Sequence, residues 1–395
     1  MRPPYSTILV ALVAIGALAA RQVPATAESA DVALNSPRQV IDGFGGSSAW
    51  SGALSDSVMD TLFGNGNNQQ IGLSLLRVRI DPDQRWAEET SNARKAHARG
   101  AKVLGTPWTP PAAMKSNHNA IGGELNPDQY AAYARFLHTA GVSIGLDACS
   151  IQNEPDIKVS YESCTWGPAQ LETFCRDDAL EIGKPVVMPE SYHFDDAFSA
   201  PTLADRVAAS HVALVAGHIY GGGLAVHQDA ITHGKHIWMT EHYINGSDIG
   251  TCCSIAKEIS DCLENDMNAY IWWFMTWQGC RIIDNGALLK NGYTLGQFSK
   301  FIRPGYRRVE ATYNPSPSVY VTGYTGPHWR VVVVAVNMGT SDVSQTFTFH
   351  GRKITRLTPT QTTATANLAT LAAVPVMKNA WTATLPAQSI TTFVN

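Results

Sequence analysis

The chain has 395 residues, 45% apolar and only 16% charged, with 29 basic and 33 acidic side chains for a net charge of −4. That apolar share supplies a sizeable core, and the length fits a large domain carrying a smaller one. The slight acidity argues against a nucleic-acid or anionic-membrane partner, because both call for a basic patch.

The first 27 residues read as a secretory signal. Arg2 gives the positive start, and Ile8 to Ala20 is an apolar run too short to span a bilayer comfortably. Ala25-Thr26-Ala27 fits a small-residue cleavage site. The mature chain is expected outside the cell, as a monomer with no membrane partner. Export permits disulfides. Cysteines at 149, 164, 175, 252, 253, 262 and 280 are odd in number, so at least one is free or pairs between chains. Cys149, in an apolar strand pattern, is the expected buried thiol. Cys164 with Cys175 is one expected pair. Cys252 or Cys253 with Cys262 or Cys280 is another, and the connectivity stays open.

Val32 to Ile41 reads as a strand leading into Gly43-Phe44-Gly45-Gly46. Apolar runs then recur at Ile71–Ile80, Lys102–Pro107, Leu146–Asn153, Pro185–Glu190, Val212–Tyr220, Lys235–Glu241 and Ala269–Met275. With the Gly43 region these make eight. Amphipathic stretches separate them. The clearest is Pro127–Ala140, with Asn126 as N-cap, Pro127 opening the helix and Gly141 closing it. Strands alternating with helices indicate parallel β/α architecture, and eight repeats in about 260 residues match a (β/α)8 barrel. After Pro304 helical periodicity fades, and Thr, Val and Ser dominate. The expected organisation is a signal at 1–27, a catalytic (β/α)8 barrel at 43–304, and an all-β side domain, a β-sandwich, from 28–42 plus 305–395.

In such barrels the chemistry sits at the C-terminal strand ends. The fourth run ends Gln152-Asn153-Glu154-Pro155 and the seventh ends Met239-Thr240-Glu241-His242. Two carboxyls at converging strand ends suit glycosidic cleavage, where one protonates the leaving oxygen and the other attacks the anomeric carbon. The competing account makes both ordinary salt-bridged strand-end residues, but Asn-Glu followed by a strand-stopping Pro favours chemistry. Asn153 is placed to hydrogen-bond a sugar 2-hydroxyl. Trp108, in the stiff loop Pro107-Trp108-Thr109-Pro110-Pro111, and Trp273 are candidate sugar platforms. Tyr220 is a candidate for orienting the nucleophile. His218, Arg79 and His242 are weaker candidates that equally suit buried polar support. No nucleophile elbow, zinc-binding helix or Walker loop occurs, and the histidines show no metal-ligand spacing.

These residues resemble glycoside hydrolase family 30, and within it the subfamily 8 glucuronoxylanases. The matching stretches are Ile41 to Gly46, Leu76 to Pro82, Thr106 to Asn117, Ser150 to Asp156 with Tyr161 to Cys164, Gly217 to Gly221, Trp238 to Tyr243, and Phe301 to Gly305. They follow the family order over nearly all of the mature chain. The resemblance implies a barrel with an attached β-sandwich and retaining hydrolysis, with Glu154 as acid/base and Glu241 as nucleophile. It also implies Tyr243 at the substrate site, no cofactor, no metal, and xylan as the polysaccharide partner. One departure stands out. Where the subfamily has an Arg that grips a glucuronate branch, this chain has Trp277 within Thr276-Trp277-Gln278-Gly279-Cys280. Trp cannot make the paired, charge-assisted bonds of a guanidinium. A xylanase with weak or no glucuronate requirement is therefore expected, unless Arg281 substitutes. The alternatives are a glucuronate-dependent enzyme, another β-glycan substrate, exo-acting release of xylobiose, and a non-catalytic carbohydrate-binding protein.

Overall fold

The structure is a computed structural model that describes residues 28–395 apart from position 68. The expected signal segment lies outside the described residues. A first strand, β1 (Ala30–Val40), precedes eight parallel strands: β2 (Gly43–Ser47), β3 (Leu75–Arg79), β4 (Lys102–Thr106), β5 (Ala148–Ser150), β6 (Val186–Ser191), β7 (Val212–His218), β8 (His236–His242) and β9 (Ala269–Trp272). They close into a barrel in chain order, with β2 paired to β9. Each coincides with one of the eight apolar runs.

The intervening helices are α1 (Asp56–Phe63), α2 (Ala87–His97), α3 (Tyr130–Ile144), α4 (Pro168–Asp177), α5 (Asp196–Ala204), α6 (Arg206–His211), α7 (Gln228–Thr232), α8 (Ile249–Glu264) and α9 (Lys290–Ser299). Their starts are chemically marked: Ser55, Asp195, Asp205 and Asp248 each accept a first-turn backbone N–H. The sequence reading ended the third helix too early. Gly141 lies inside α3, packed against Lys184, and the left-handed residue that stops the helix is Gly145 at φ 85°. Inside the barrel, Leu75, Leu104, Val187, Trp238 and Ile271 form a closed apolar layer that fills the floor. The barrel is thus a packed scaffold with a working rim, not a pore.

After the barrel come a small hairpin, β10 (Ile283–Asp284) with β11 (Ala287–Leu288), and then β12 (Arg307–Ala311), β13 (Val319–Thr325), β14 (Val331–Asn337), β15 (Val343–His350), β16 (Arg356–Thr362), β17 (Ala369–Thr370), β18 (Val374–Pro375), β19 (Ala380–Leu385) and β20 (Ser389–Val394). With β1 the last nine form one ten-stranded sheet. β1 lies between β12, antiparallel, and β15, parallel. The sheet curls on itself, so that Trp381 of β19 meets Phe393 of β20 at 5.7 Å. The two faces of the expected sandwich are therefore made by one continuous sheet.

The run Val331 to Val336 is apolar at every position because both faces of β14 are buried. Val331, Val333 and Ala335 face the side-domain core, while Val332, Val334 and Val336 join the barrel's core with Ile390. Each such valine contributes about 1.5–3 kcal/mol by leaving water. Arg308 reaches from β12 to Glu264 at the end of α8, 2.7 Å away, adding a polar tie between the two units. No helix among the described residues is long and apolar enough to cross a membrane.

The expected disulfides are not formed. All seven cysteines are buried free thiols, Cys149 among them. Cys252, Cys253 and Cys262 share α8, where nine or ten residues of rise separate Cys262 from the other two by about 14–15 Å. A disulfide needs Cα atoms within about 7 Å. Cys280 instead points its Sγ at the Trp273 carbonyl, 3.1 Å away. Cys164 approaches the Thr165 carbonyl, and Cys175 is buried on α4.

Candidate active site

The two strand-end glutamates converge at the C-terminal mouth of the barrel. Glu154 follows β5 in the left-handed region at φ 44°, a position costing about 1–3 kcal/mol for a residue with a side chain. The surrounding loop holds it there. Asn153 N–H donates to the Pro107 carbonyl at 2.8 Å, and Glu154 N–H to the Glu190 carbonyl at 3.0 Å. Gln152 Nε2 donates to the Trp108 carbonyl at 2.7 Å. Glu241 is near the end of β8. The glutamates are 4% and 6% exposed, so both carboxyls meet solvent only through the cleft. One carboxylate oxygen from each, together with a ring nitrogen of His218, lie within 4.8 Å of one another.

Arg77 organises this cluster from below. It is fully buried in β3 between Leu76 and Val78. Its Nη1 donates to Glu241 Oε2 at 2.6 Å, its Nη2 to Asn153 Oδ1 at 2.7 Å, and its Nε to Thr106 Oγ1 at 3.2 Å. The guanidinium also lies 3.2 Å from Glu190 and 4.7 Å from the Trp108 ring centre. Tyr220 Oη donates to Glu241 Oε1 at 3.0 Å, so each oxygen of Glu241 has a fixed donor. Glu154 accepts from Tyr161 Oη at 3.0 Å and faces His218 Nδ1 at 2.9 Å.

The electrostatics follow from these contacts. Burial pushes His218 toward neutrality, but Glu241, Glu154 and Glu190 outweigh it and lift its pKa to about 9. Burial raises the Glu241 carboxyl, against the opposing pull of His218 and Arg77. The Arg77 guanidinium at 2.6 Å favours the charged form of Glu241. The trio of Glu154, His218 and Glu241 resembles a metal-ligand set in composition. Arg77 lies 2.6 Å from Glu241 and His218 2.9 Å from Glu154, so the two carboxyls already have cationic partners within the protein.

The cleft above the carboxyls has a volume of about 480 Å³ and is lined by Trp50, Trp108, Glu154, Tyr161, Tyr192, Tyr220, Glu241, Tyr243 and Trp273. Seven of these nine are aromatic, a wall that suits the apolar faces of sugar rings. An adjoining cleft of about 550 Å³ shares Trp50, Tyr243 and Trp273, and adds Ser51, Phe274, Thr276, Trp277 and Gln278. Trp277 is half exposed there, edge-on to Tyr243 at 6.1 Å.

Of the residues singled out in sequence, Glu154, Glu241, Trp108, Tyr220, Tyr243 and Trp273 line the main cleft, and Trp277 lines its neighbour. Asn153 and His218 sit beneath, in contact with the carboxyl cluster. Arg79 does not reach the carboxyls. It pairs with Asp81 at 2.6 Å and with Glu162, and lies 5.1 Å from the Trp50 ring centre, supporting the rim. His242 is taken by Glu258, 2.9 Å away. Sequence reading missed Arg77, Glu190, Tyr161, Tyr192 and Trp50. Two signals were available. A charged residue at the centre of an apolar strand must be paired, which flags Arg77. The strand-end rule applied to Pro189-Glu190 would also have flagged Glu190.

No protein-family model matches the chain. It is 34% identical over 416 residues to the glucuronoxylanase XynC of Bacillus subtilis, covering 98% of each chain. Among solved structures it matches the glycoside hydrolase family 30 subfamily 8 xylanase Xyn30A from Clostridium acetobutylicum with a TM-score of 0.89 and 42% identity. That match covers 93% of this chain and 99% of the other. A family 30 endoxylanase from Clostridium papyrosolvens follows at a TM-score of 0.86 and 38% identity, with the same coverage. With this barrel, this carboxyl pair and relatives of that similarity over almost its whole length, the chain belongs to glycoside hydrolase family 30, subfamily 8.

Proposed function

We propose that the protein is a secreted endo-β-1,4-xylanase that hydrolyses xylan with retention of configuration and has little or no requirement for glucuronate branches. The observation that carries the mechanism is the carboxyl pair whose nearest oxygens lie within 4.8 Å. Retaining glycosidases hold their carboxyls about 5–5.5 Å apart, whereas inverting enzymes leave about 6.5–9.5 Å for a water.

In the first step an oxygen of Glu241 bonds to the anomeric carbon as the glycosidic C–O bond breaks. The bonding pair leaves on the aglycone oxygen, which takes the proton of Glu154. In the second step the Glu154 carboxylate removes a proton from water, whose oxygen displaces Glu241. Arg77 and Tyr220 hold Glu241 by both oxygens. Arg77 also engages the Asn153 carbonyl oxygen, leaving the amide N–H2 group as the donor toward a sugar 2-hydroxyl. Trp108 and Trp273 form the wall against which the sugar stacks.

The relatives' names support xylan as the substrate. The composition of the adjoining cleft supports neutral-chain specificity: no Lys or Arg is among its lining residues. Arg281 does not line it and pairs with Asp284 at 2.9 Å. The test is product analysis by mass spectrometry on glucuronoxylan, arabinoxylan and linear β-1,4-xylan in parallel. Comparable cleavage of all three at scattered lengths is expected. Cleavage of glucuronoxylan alone, with one glucuronate at a fixed position in every product, refutes the neutral-chain reading.

A further inference from the structure

Glu190, at the end of β6, is fully buried and is not among the residues lining the main cleft, yet it belongs to the same charge cluster. Its Oε2 accepts from Thr106 Oγ1 at 3.0 Å. Its Oε1 faces Arg77 Nη2 at 3.2 Å and His218 Nε2 at 3.8 Å. At 3.8 Å the His218 contact is an ion pair rather than a hydrogen bond. Both Glu190 Oε1 and His218 Nε2 are buried without a hydrogen-bond partner, and each faces the other. Glu190 is held at φ 50°, in the left-handed region, as its neighbour Glu154 is at 44°. Nothing in substrate contact explains a buried carboxyl kept in that conformation.

Charge counting explains it. The buried cluster holds three carboxyls (Glu154, Glu190, Glu241) and two cations (Arg77 and the His218 imidazolium). One proton on one carboxyl brings it to neutrality. With Glu190 and Glu241 ionised opposite Arg77 and His218, that proton rests on Glu154. When Glu241 becomes an ester and Glu154 gives its proton away, the cluster is neutral again. We infer that Glu190 is a positioning residue that keeps His218 cationic beside Glu154, and so reserves the one available proton for the carboxyl that must donate it. The inference rests on the acid/base reading of Glu154 and deepens it.

Without the Glu190 charge, Arg77 and Glu241 would balance each other. A single proton would then be divided between Glu154 and the His218 ring, and each time the ring held it the acid would be absent. The other groups facing this device are Asp156 and the Tyr220 ring on the His218 side, and Cys149 on the Glu190 side. Burial pushes the Glu190 carboxyl up, but Arg77 and His218 hold it down at about 2, which favours its ionised form.

The test is Glu190→Gln, which keeps shape and acceptor but removes the charge, with Glu190→Asp as the conservative rescue. On xylan, Glu190→Gln is expected to lose on the order of 10²-fold in kcat with little change in KM, the lower end of what a general acid supplies. Its basic limb of activity should move to lower pH. On an aryl β-xylo-oligosaccharide with a strongly acidic phenol, which needs no protonation to leave, it should stay close to wild type. Glu190→Asp should recover part of the loss on xylan. Equal losses on both substrates, or an unchanged pH limb, overturn the inference and leave Glu190 a structural residue. Should the variant fail to fold, nitrogen NMR of the wild-type imidazoles decides. The inference requires His218 protonated on both nitrogens at pH 8, and a neutral ring at that pH overturns it. Glu154→Gln run alongside separates the two claims. If that variant keeps full activity on xylan, the acid/base reading itself has failed.

Discussion

Replacing Arg77 by Met removes the one guanidinium that touches Glu241, Asn153, Thr106 and Glu190. Met fills similar volume, so the loss is mainly charge. Breaking a buried ion pair from one side costs about 3–5 kcal/mol, because the partner charge stays buried and uncompensated. Here two carboxylates lose the same cation. They can relieve the penalty only by taking up a proton, so their folded-state pKa values must rise above the unfolded ones. A carboxyl raised in this way binds more protons folded than unfolded, so stability falls as pH rises. The gap between wild type and Arg77→Met should therefore be small near pH 5 and widen toward pH 8. Thermal or denaturant unfolding at both pH values measures it. Turnover on xylan at pH 7 should collapse, because a protonated Glu241 cannot attack. A destabilisation below about 1 kcal/mol that does not vary with pH, or a variant that keeps substantial activity, would refute the account of the cluster.

His218, lifted to about 9, supplies a second pH signature. Its contribution, on the order of 3 kcal/mol, is complete below its unfolded value near 6.5 and is lost as pH rises through 9. His218→Gln should flatten the fall in melting temperature between pH 7 and 10, and an unchanged slope would contradict the assignment. Because all seven thiols are free, a reducing agent should leave the melting temperature unchanged; a marked drop would reveal a disulfide. Trp277, half exposed, should be replaceable by Ala within about 0.5 kcal/mol of stability, while KM on linear xylan rises. Trp277→Arg should raise activity on glucuronoxylan relative to neutral xylan. If neither variant shifts that ratio, Trp277 does not govern branch preference.

The barrel was legible because each parallel strand is buried on both faces and reads as an apolar run, bounded by turn residues. Val331 to Val336 was equally plain as a strand. What it packs against on its second face was not, because one strand cannot state which of two cores each side serves. The two glutamates of the cleft could be found because strand ends in this architecture point at the mouth. The layer beneath was harder. Arg77 lies inside a strand, so only its misfit in an apolar run marks it, and its partners come from β4, the loop after β5, β6 and β8. The cysteines misled because helical rise holds Cys252 and Cys253 away from Cys262, a distance that spacing along the chain conceals. Gly141 misled because a glycine after an amphipathic stretch reads as a stop, while here it makes room for Lys184 inside a helix that runs one turn further.

The central claim is that two closely spaced carboxyls cleave xylan by double displacement. Proton NMR of the anomeric centre during the first minutes of hydrolysis tests it most directly. The account predicts that the newly formed reducing ends appear first as the β-anomer and only later equilibrate with α. An α-anomer formed first would mean single displacement by water, and would contradict the roles proposed for Glu154 and Glu241.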